Sequence, residues 1–401
     1  MTGVTGVGTV GATGADTGAG VPGIHLFVPM LHRRDAVGEH TRSLRDQLLA
    51  AGVPSLIYVE MPDPETVDET RPYREYEDTA VPGDILVYQV ATHSDMAGWL
   101  GRRAEPLVLN YHSITPPEYF APWNNGIARL QAVALRELAD LAPRATLGIG
   151  VSEFDAAELR GVGCPATMVI PVANVGLLPV SPDPASSSAL ASRASGRGPW
   201  WLSVGRLAPN KAHQDTIAAL FVARATSAPA AHLTIVGAPA EPHYARALRR
   251  FAADLGLSGA VEFVTGIDAG ELAARYAAAD VLVMLSEHEG FGVPLVEAMG
   301  LGLPVVAFDA GAVSEVVGDA GVLLESKAPR SVAFAVDGIL GDPVRREALV
   351  AAGRARHSAL RLEHAGSDLI RALQQVATGV VPSVTATGPP APVRPAEPVS
   401  H

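Results

Sequence analysis

Short apolar runs alternate with amphipathic stretches twice along this chain, and that repeated alternation limits the fold more than any other feature. The first series places strands at 24–29, 55–59, 85–90 and 107–111, with helices at 42–51 and 127–141. The second places strands at 201–204, 233–236, 261–264, 281–285 and 305–308, with helices at 213–226, 245–255, 271–278 and 294–300. Strand, helix, strand in succession builds a parallel sheet with its connections packed on the faces. Between the two series, residues 179–199 are rich in Pro, Ser, Ala and Gly, a composition that suits a connection between domains. The expected fold class is therefore α/β: two Rossmann-like domains facing each other across a cleft, at 23–180 and 200–376, joined by a linker at 181–199. Residues 1–22 are nearly all Gly, Thr, Val and Ala, and 377–401 are rich in Pro, Val, Thr and Ala, so both ends read as flexible tails.

Composition removes several classes of function. A length of 401 residues with 48% hydrophobic content supplies two cores. A formal net charge of -12 argues against a nucleic-acid partner, because no region offers the basic surface that many phosphates require. Any phosphate site must be local. The single cysteine, Cys164, rules out an intrachain disulfide and a multi-cysteine metal centre. No apolar stretch reaches the ~20 residues of a membrane-spanning helix, and the N-terminus lacks the pattern of a secretion signal. A cytoplasmic protein is expected, with peripheral attachment at the inner membrane surface left open. The arginines near the first helix alternate with acids and draw no clear membrane-binding face.

Residues 286–312 carry the sharpest chemical signal. Glu289 and Glu297 stand in an E-x7-E spacing, with Gly290-Phe291-Gly292 and Pro294 between them. The apolar run 281–285 leads in as a buried strand; the glycines permit close backbone approach, and Pro294 suits a first helical turn. Strand, glycine turn and helix N-terminus present N–H groups and a positive dipole end to an anion. Carboxylates beside a phosphate repel it, so the two glutamates suit hydroxyls on either side of one. A nucleotide sugar has that arrangement. Arg206 and Lys211 follow the buried strand 201–204, where neither is a routine helix-face charge, and fixed cations there would stabilise a departing diphosphate.

These segments resemble the donor site of retaining, GT-B-fold, nucleotide-sugar glycosyltransferases of the group-1, family-four type. The resemblance rests on Ser203-Val204-Gly205-Arg206-Leu207-Ala208-Pro209-Asn210-Lys211 and on 286–312, and more loosely on Asn110-Tyr111-His112-Ser113. It implies that Arg206 and Lys211 grip the donor diphosphate, that Glu297 binds the ribose hydroxyls and that Glu289 binds a hydroxyl of the transferred sugar. It further implies that backbone at Gly290, Phe291, Gly292, Leu295 and Val296 meets sugar and phosphates, and that backbone at Gly266 and Ile267 reads the base. Gly38 is expected in a donor-side loop at 32–39, and His112 beside the anomeric carbon; His93 is a weaker acceptor-side candidate. The catalytic set is thus His112, Glu289, Arg206 and Lys211. The resemblance alone implies retention.

No Asp-x-Asp occurs, so no metal is expected, and no cofactor beyond the nucleotide-sugar co-substrate. The literal G-x-G-x-x-G at 6–11 follows no strand and sits in low-complexity sequence, so it is not read as a dinucleotide site. The acceptor stays open between a glycan, a small molecule and a lipid head group. Two rival readings remain: a non-hydrolysing nucleotide-sugar 2-epimerase, which would turn over without acceptor, and a non-catalytic nucleotide-sugar-binding subunit, which would neither transfer nor hydrolyse.

Overall fold

A computed structural model describes residues 21–32, 36–172, 182–194, 198–360 and 362–380. The glycine pattern at 6–11 and most of both expected tails lie outside the described residues. Seven strands form the first sheet: β1 (Ile24–Val28), β2 (Ile57–Val59), β3 (Thr70–Pro72), β4 (Ile85–Val90), β5 (Leu107–Tyr111), β6 (Leu147–Gly150) and β7 (Thr167–Val169). Six form the second: β8 (Trp200–Val204), β9 (His232–Val236), β10 (Val261–Val264), β11 (Val281–Met284), β12 (Val305–Phe308) and β13 (Val322–Leu324). Their orders are β3-β2-β1-β4-β5-β6-β7 and β10-β9-β8-β11-β12-β13, with every neighbouring pair parallel. Each sheet therefore reverses direction once, between β1 and β4 and between β8 and β11. A ligand crevice opens beyond the carboxyl ends of the strands at such a reversal.

Both faces of each sheet are buried, which is why the central strands read as near-continuous apolar runs. Successive side chains enter opposite layers. Phe27 packs with Tyr58, Tyr88 and Tyr111 on one face, and Leu26 and Val28 with Ile57, Val87 and Val108 on the other. In the second domain Trp201, Leu233, Ile235, Val281 and Val283 fill one layer, and Leu202, Val236, Leu282 and Met284 the opposite one.

Two boundaries differ from the sequence reading. The first helix spans Ala36–Ala50, so Gly38 lies in a helical turn rather than in a loop. Glu39 in that turn suits the helix dipole, and Thr41 Oγ1 donates to the Val37 carbonyl at 2.7 Å, so one glycine does not prevent helix formation. Part of the expected linker is the helix Pro184–Ala194, whose Leu190 is buried with Trp200 and Ala274. The Asp183 carboxylate accepts the Ser186 N–H at 2.7 Å near its start, and the alanines that made the stretch look featureless are strong helix formers. The last helix, Leu362–Ala377, returns to the first domain, burying Ala365, Leu369, Ala372, Leu373 and Val376 with Leu44, Leu48 and β1. Gly366 passes so close to that domain that an added Cβ would lie 2.1 Å from Gln47 Oε1.

Candidate functional site

The loops that follow β8 and β11 meet at the reversal point of the second sheet. After β8, Gly205 leads to Arg206 and a short 3-10 turn, Pro209–Lys211, which runs through a left-handed Ala212 into the helix His213–Thr226. His213, 1% exposed, braces this turn: Nδ1 lies 3.3 Å from Ser203 Oγ and Nε2 lies 3.2 Å from the Arg206 carbonyl. Burial pushes its imidazole down to about 4, so the brace is uncharged at neutral pH. Gly237 cannot be another residue, since a Cβ there would lie 1.9 Å from the Gly205 carbonyl oxygen.

Asn210 joins the two loops. Its carbonyl accepts the Glu287 N–H at 2.8 Å, and its side-chain amide reaches the His288 carbonyl at 3.3 Å. The adjacent Lys211 is thereby set against Glu289, with Nζ 2.5 Å from Oε1 and side-chain exposures of 18% and 7%. Arg206 is exposed and makes no ion pair among the described residues. Of the two expected cations, one is paired and the other stands ready for an anion.

The turn after Glu289 is built by glycines. Gly311, at φ 61, lets a neighbouring loop approach so closely that a Cβ there would lie 2.3 Å from the Glu289 carbonyl oxygen; the Ala312 N–H donates to that oxygen at 2.9 Å. Gly292, at φ 83, precedes the helix Val293–Leu301. Phe291, Leu295 and Val296 are buried, and Leu295 N–H already donates to the Gly292 carbonyl at 2.9 Å. One turn into the helix, Glu297 Oε2 accepts the Tyr276 hydroxyl at 2.6 Å. Burial pushes the Glu297 carboxyl up to about 7, against the opposing pull of that hydrogen bond. Gly266 (φ 72) is exposed beyond β10, where an added Cβ would meet nothing within 4 Å, and Ile267 packs beneath it against the second-domain core. Backbone there is open to a planar ligand group.

The first domain supplies the opposite wall. A Cβ on Gly290 would lie 2.6 Å from Ser113 Cβ and 3.0 Å from Asp155 Oδ2, so the glycine turn rests on the first domain. Ser113 holds φ 59, unusual for a residue with a side chain, and its hydroxyl donates to Asp155 Oδ1 at 2.7 Å. Burial holds the Asp155 carboxyl well above the usual carboxylate range. Glu315 of the second domain accepts the Glu153 N–H at 2.7 and 2.9 Å and the Phe154 N–H at 3.3 Å, capping the helix Glu153–Gly161 across the cleft. The Tyr119 hydroxyl reaches the Glu287 carbonyl at 3.3 Å.

His112, at the end of β5, precedes Ser113 and so belongs to this wall. Its Nε2 lies 2.7 Å from Gln89 Oε1, and the His40 ring stands edge-on at 5.4 Å. Burial and the neighbouring His40 hold its imidazole well below 6.5. His93 is turned aside, with Nδ1 2.7 Å from Glu137 Oε1. Gly38 enters the wall only through its helix, two residues before His40. Sequence reasoning missed Gln89, His40, Tyr276, Asp155 and Glu315. The one signal for Gln89 and Asn110 was a polar residue inside an otherwise apolar strand.

Residues 191–356 match the family of glycosyl transferases group 1. That stretch of about two fifths of the chain, which contains both Lys211 and Glu289, is similar to a group 1 glycosyl transferase domain. Among curated relatives, the D-inositol 3-phosphate glycosyltransferase of Thermomonospora curvata is 36% identical over 193 residues, covering 46% of this chain and 44% of that protein. The GDP-mannose-dependent alpha-(1-6)-phosphatidylinositol monomannoside mannosyltransferase of Mycolicibacterium smegmatis is 34% identical over 184 residues, covering 43% and 47%. The chain thus spans about half the length of these relatives. The crystal structure of HepE from Anabaena in complex with UDP-glucose superposes with a TM-score of 0.71 over 88% of this chain and 99% of that one, at 18% identity. That likeness fixes the fold, two facing Rossmann-like domains of the GT-B type. Among the described residues, no helix is long and apolar enough to cross a membrane.

Proposed function

We propose that this chain transfers a hexose-type sugar from a nucleoside diphosphate sugar to an acceptor hydroxyl, with retention at the anomeric carbon and without a metal ion. The observation that carries the reading is the Lys211–Glu289 pair at the reversal point of the second sheet, with Arg206, which has no ion pair among the described residues, beside it and the His112 wall opposite. Without ligand, cation and carboxylate satisfy each other. A bound donor separates them: Lys211 and Arg206 take the diphosphate, and Glu289 accepts a sugar hydroxyl. Glu297 accepts the ribose hydroxyls, and the Gly266 turn faces the base.

The reaction breaks the bond from the anomeric carbon to the phosphate oxygen and forms one to the acceptor oxygen on the same face. The acceptor proton passes to the departing phosphate oxygen. Negative charge grows on the diphosphate as the bond stretches, so Arg206 and Lys211 act most strongly at the transition state. This leaves no task for the paired acid and base of a glycoside hydrolase. Contacts from Gly290 to Ser113 and from Glu315 to the helix Glu153–Gly161 keep water from the reacting centre.

The relatives' names put inositol phosphate and phosphatidylinositol derivatives among the acceptors to test, and GDP-mannose and UDP-glucose among the donors. Work at the cytoplasmic face of a membrane fits a lipid head-group acceptor. The test is a thermal-shift screen of UDP, GDP, ADP and their sugars, followed by transfer assays with the stabilising donor, with and without chelator. Stabilisation by one nucleotide and acceptor-dependent release of it supports transfer. Isomerisation of the donor without acceptor would assign the scaffold to an epimerase, and donor binding without turnover would leave a binding subunit.

A further inference from the structure

We propose that Gln89 is the positioning residue for His112: its side-chain carbonyl holds the imidazole with the proton on Nε2 and leaves Nδ1 as the hydrogen-bond acceptor for a hydroxyl of the donor sugar. The inference rests on the donor-site reading above and adds to it a residue and a protonation pattern.

Gln89 is the one amide side chain in β4, whose six residues are all buried, and it is itself 0% exposed. A primary amide buried in an apolar strand is costly unless its hydrogen bonds are made, and among the described residues only the oxygen of Gln89 is satisfied, its Nε2 having no partner. Its register partner across the parallel pair is Asn110, 1% exposed, so both amides emerge on the same face of the sheet. Asn110 Nδ2 donates to Gln89 Oε1 at 3.0 Å and lies 2.9 Å from His40 Nε2. An amide nitrogen has no lone pair to offer, so the His40 nitrogen facing it accepts and Gln89 presents its oxygen.

That oxygen lies 2.7 Å from His112 Nε2 and can only accept, so Nε2 carries a proton. Burial and the adjacent His40 keep the ring neutral, hence Nδ1 is bare. His112 Nδ1 makes no hydrogen bond among the described residues, so its lone pair is uncommitted. The next residue, Ser113, touches the Gly290 turn, so His112 stands in the part of the first-domain wall that faces the Glu289 loop. A neutral acceptor there binds a sugar hydroxyl without placing positive charge beside an anomeric carbon that is itself becoming positive.

The test has one arm that does not depend on activity. In the ligand-free full-length protein with 15N-labelled histidine, and with His112→Ala used to assign the signals, His112 should show a protonated Nε2 and a bare Nδ1. Replacement by Gln89→Leu should give a mixture of the two tautomers. A wild-type ring protonated on Nδ1 overturns the proposal, because both amides would then face the opposite way. In transfer assays Gln89→Leu should lower kcat about tenfold, the scale of one hydrogen bond, with the donor KM changed by less than about threefold. In a His112→Ala background the same substitution should cost less than about twofold, whereas equal losses in both backgrounds would make Gln89 merely structural. Gln89→Glu, which keeps an acceptor oxygen, should retain more kcat than Gln89→Leu and serves if the latter does not fold. Failure of wild type to transfer with any donor would defeat the glycosyltransferase reading and leave the tautomer measurement standing.

Discussion

Replacing Tyr276 by Phe tests the ribose assignment through a single atom. The Tyr276 hydroxyl is 2.6 Å from Glu297 Oε2, and the ring is 1% exposed, so the substitution removes one buried hydrogen bond and little volume. A hydrogen bond to a charged group contributes roughly 1.5–3 kcal/mol. At about 1.4 kcal/mol per pKa unit, its loss raises the Glu297 carboxyl from about 7 by roughly 1–2 units more. Ribose hydroxyls need the ionised carboxylate as acceptor, so donor affinity should rise with pH and level off above the free-protein pKa. At pH 6 wild type should bind nucleoside diphosphate about tenfold more weakly than on the plateau, since about one molecule in ten is then ionised. The Phe variant should show the same curve displaced upward by roughly 1–2 pH units, and a correspondingly lower affinity at pH 8. Calorimetric titration between pH 6 and 9.5, in buffers of different ionisation enthalpy, measures affinity and proton release together. An affinity curve that is flat in wild type, or unmoved in the variant, would refute the role given to Glu297.

Lys211→Ala should lower stability by roughly 2–3 kcal/mol in denaturant titration, because it strands a Glu289 carboxylate that is only 7% exposed, and Glu289→Gln should restore most of it. Arg206→Ala with Lys211→Ala and Glu289→Gln should give a folded protein without transfer; activity within a few-fold of wild type in a coupled nucleotide-release assay would remove the diphosphate role. Glu315→Ala frees the backbone N–H groups of Glu153 and Phe154 and should raise donor hydrolysis relative to transfer, measured as free sugar against product. An unchanged ratio would show that this cap does not help to exclude water. Saturating chelator should leave transfer unaffected, and recovery of a lost activity by magnesium would replace the two cations with a metal.

The nine strands placed from the sequence were legible because burial on both faces makes each a near-continuous apolar run, as in β11 and β12, whereas the edge strands β3, β7 and β13 are only partly buried and were not read. Glu289, Lys211 and Arg206 were legible because short loops at strand ends carry them with little freedom in spacing. Their partners were not. Gln89 meets Asn110 only through the β4–β5 register, and His40 reaches them from a helix whose start the sequence placed several residues late. Tyr276 and Glu297 come from separate helices, and Glu315 finds its partner 162 residues away in the other domain. Such contacts depend on how elements stack, which local periodicity does not record. The helix Pro184–Ala194 escaped for the opposite reason: its serines and alanines resemble a spacer until Leu190 is seen packed on Trp200.

The return of the helix Leu362–Ala377 to the first domain bears on how the chain is made. Leu44 and Leu48 leave the ribosome early, yet the side chains that cover them, from Ala365 to Val376, emerge only after the whole second sheet. Roughly 200 residues separate β7 from the end of that helix, and at roughly 5–20 residues per second they take about 10–40 s to make. For that interval the first domain carries an uncovered apolar groove, a natural binding site for a chaperone. Release of the finished chain closes the groove, so a ribosome stalled before residue 362 should hold a first domain that is still sensitive to protease.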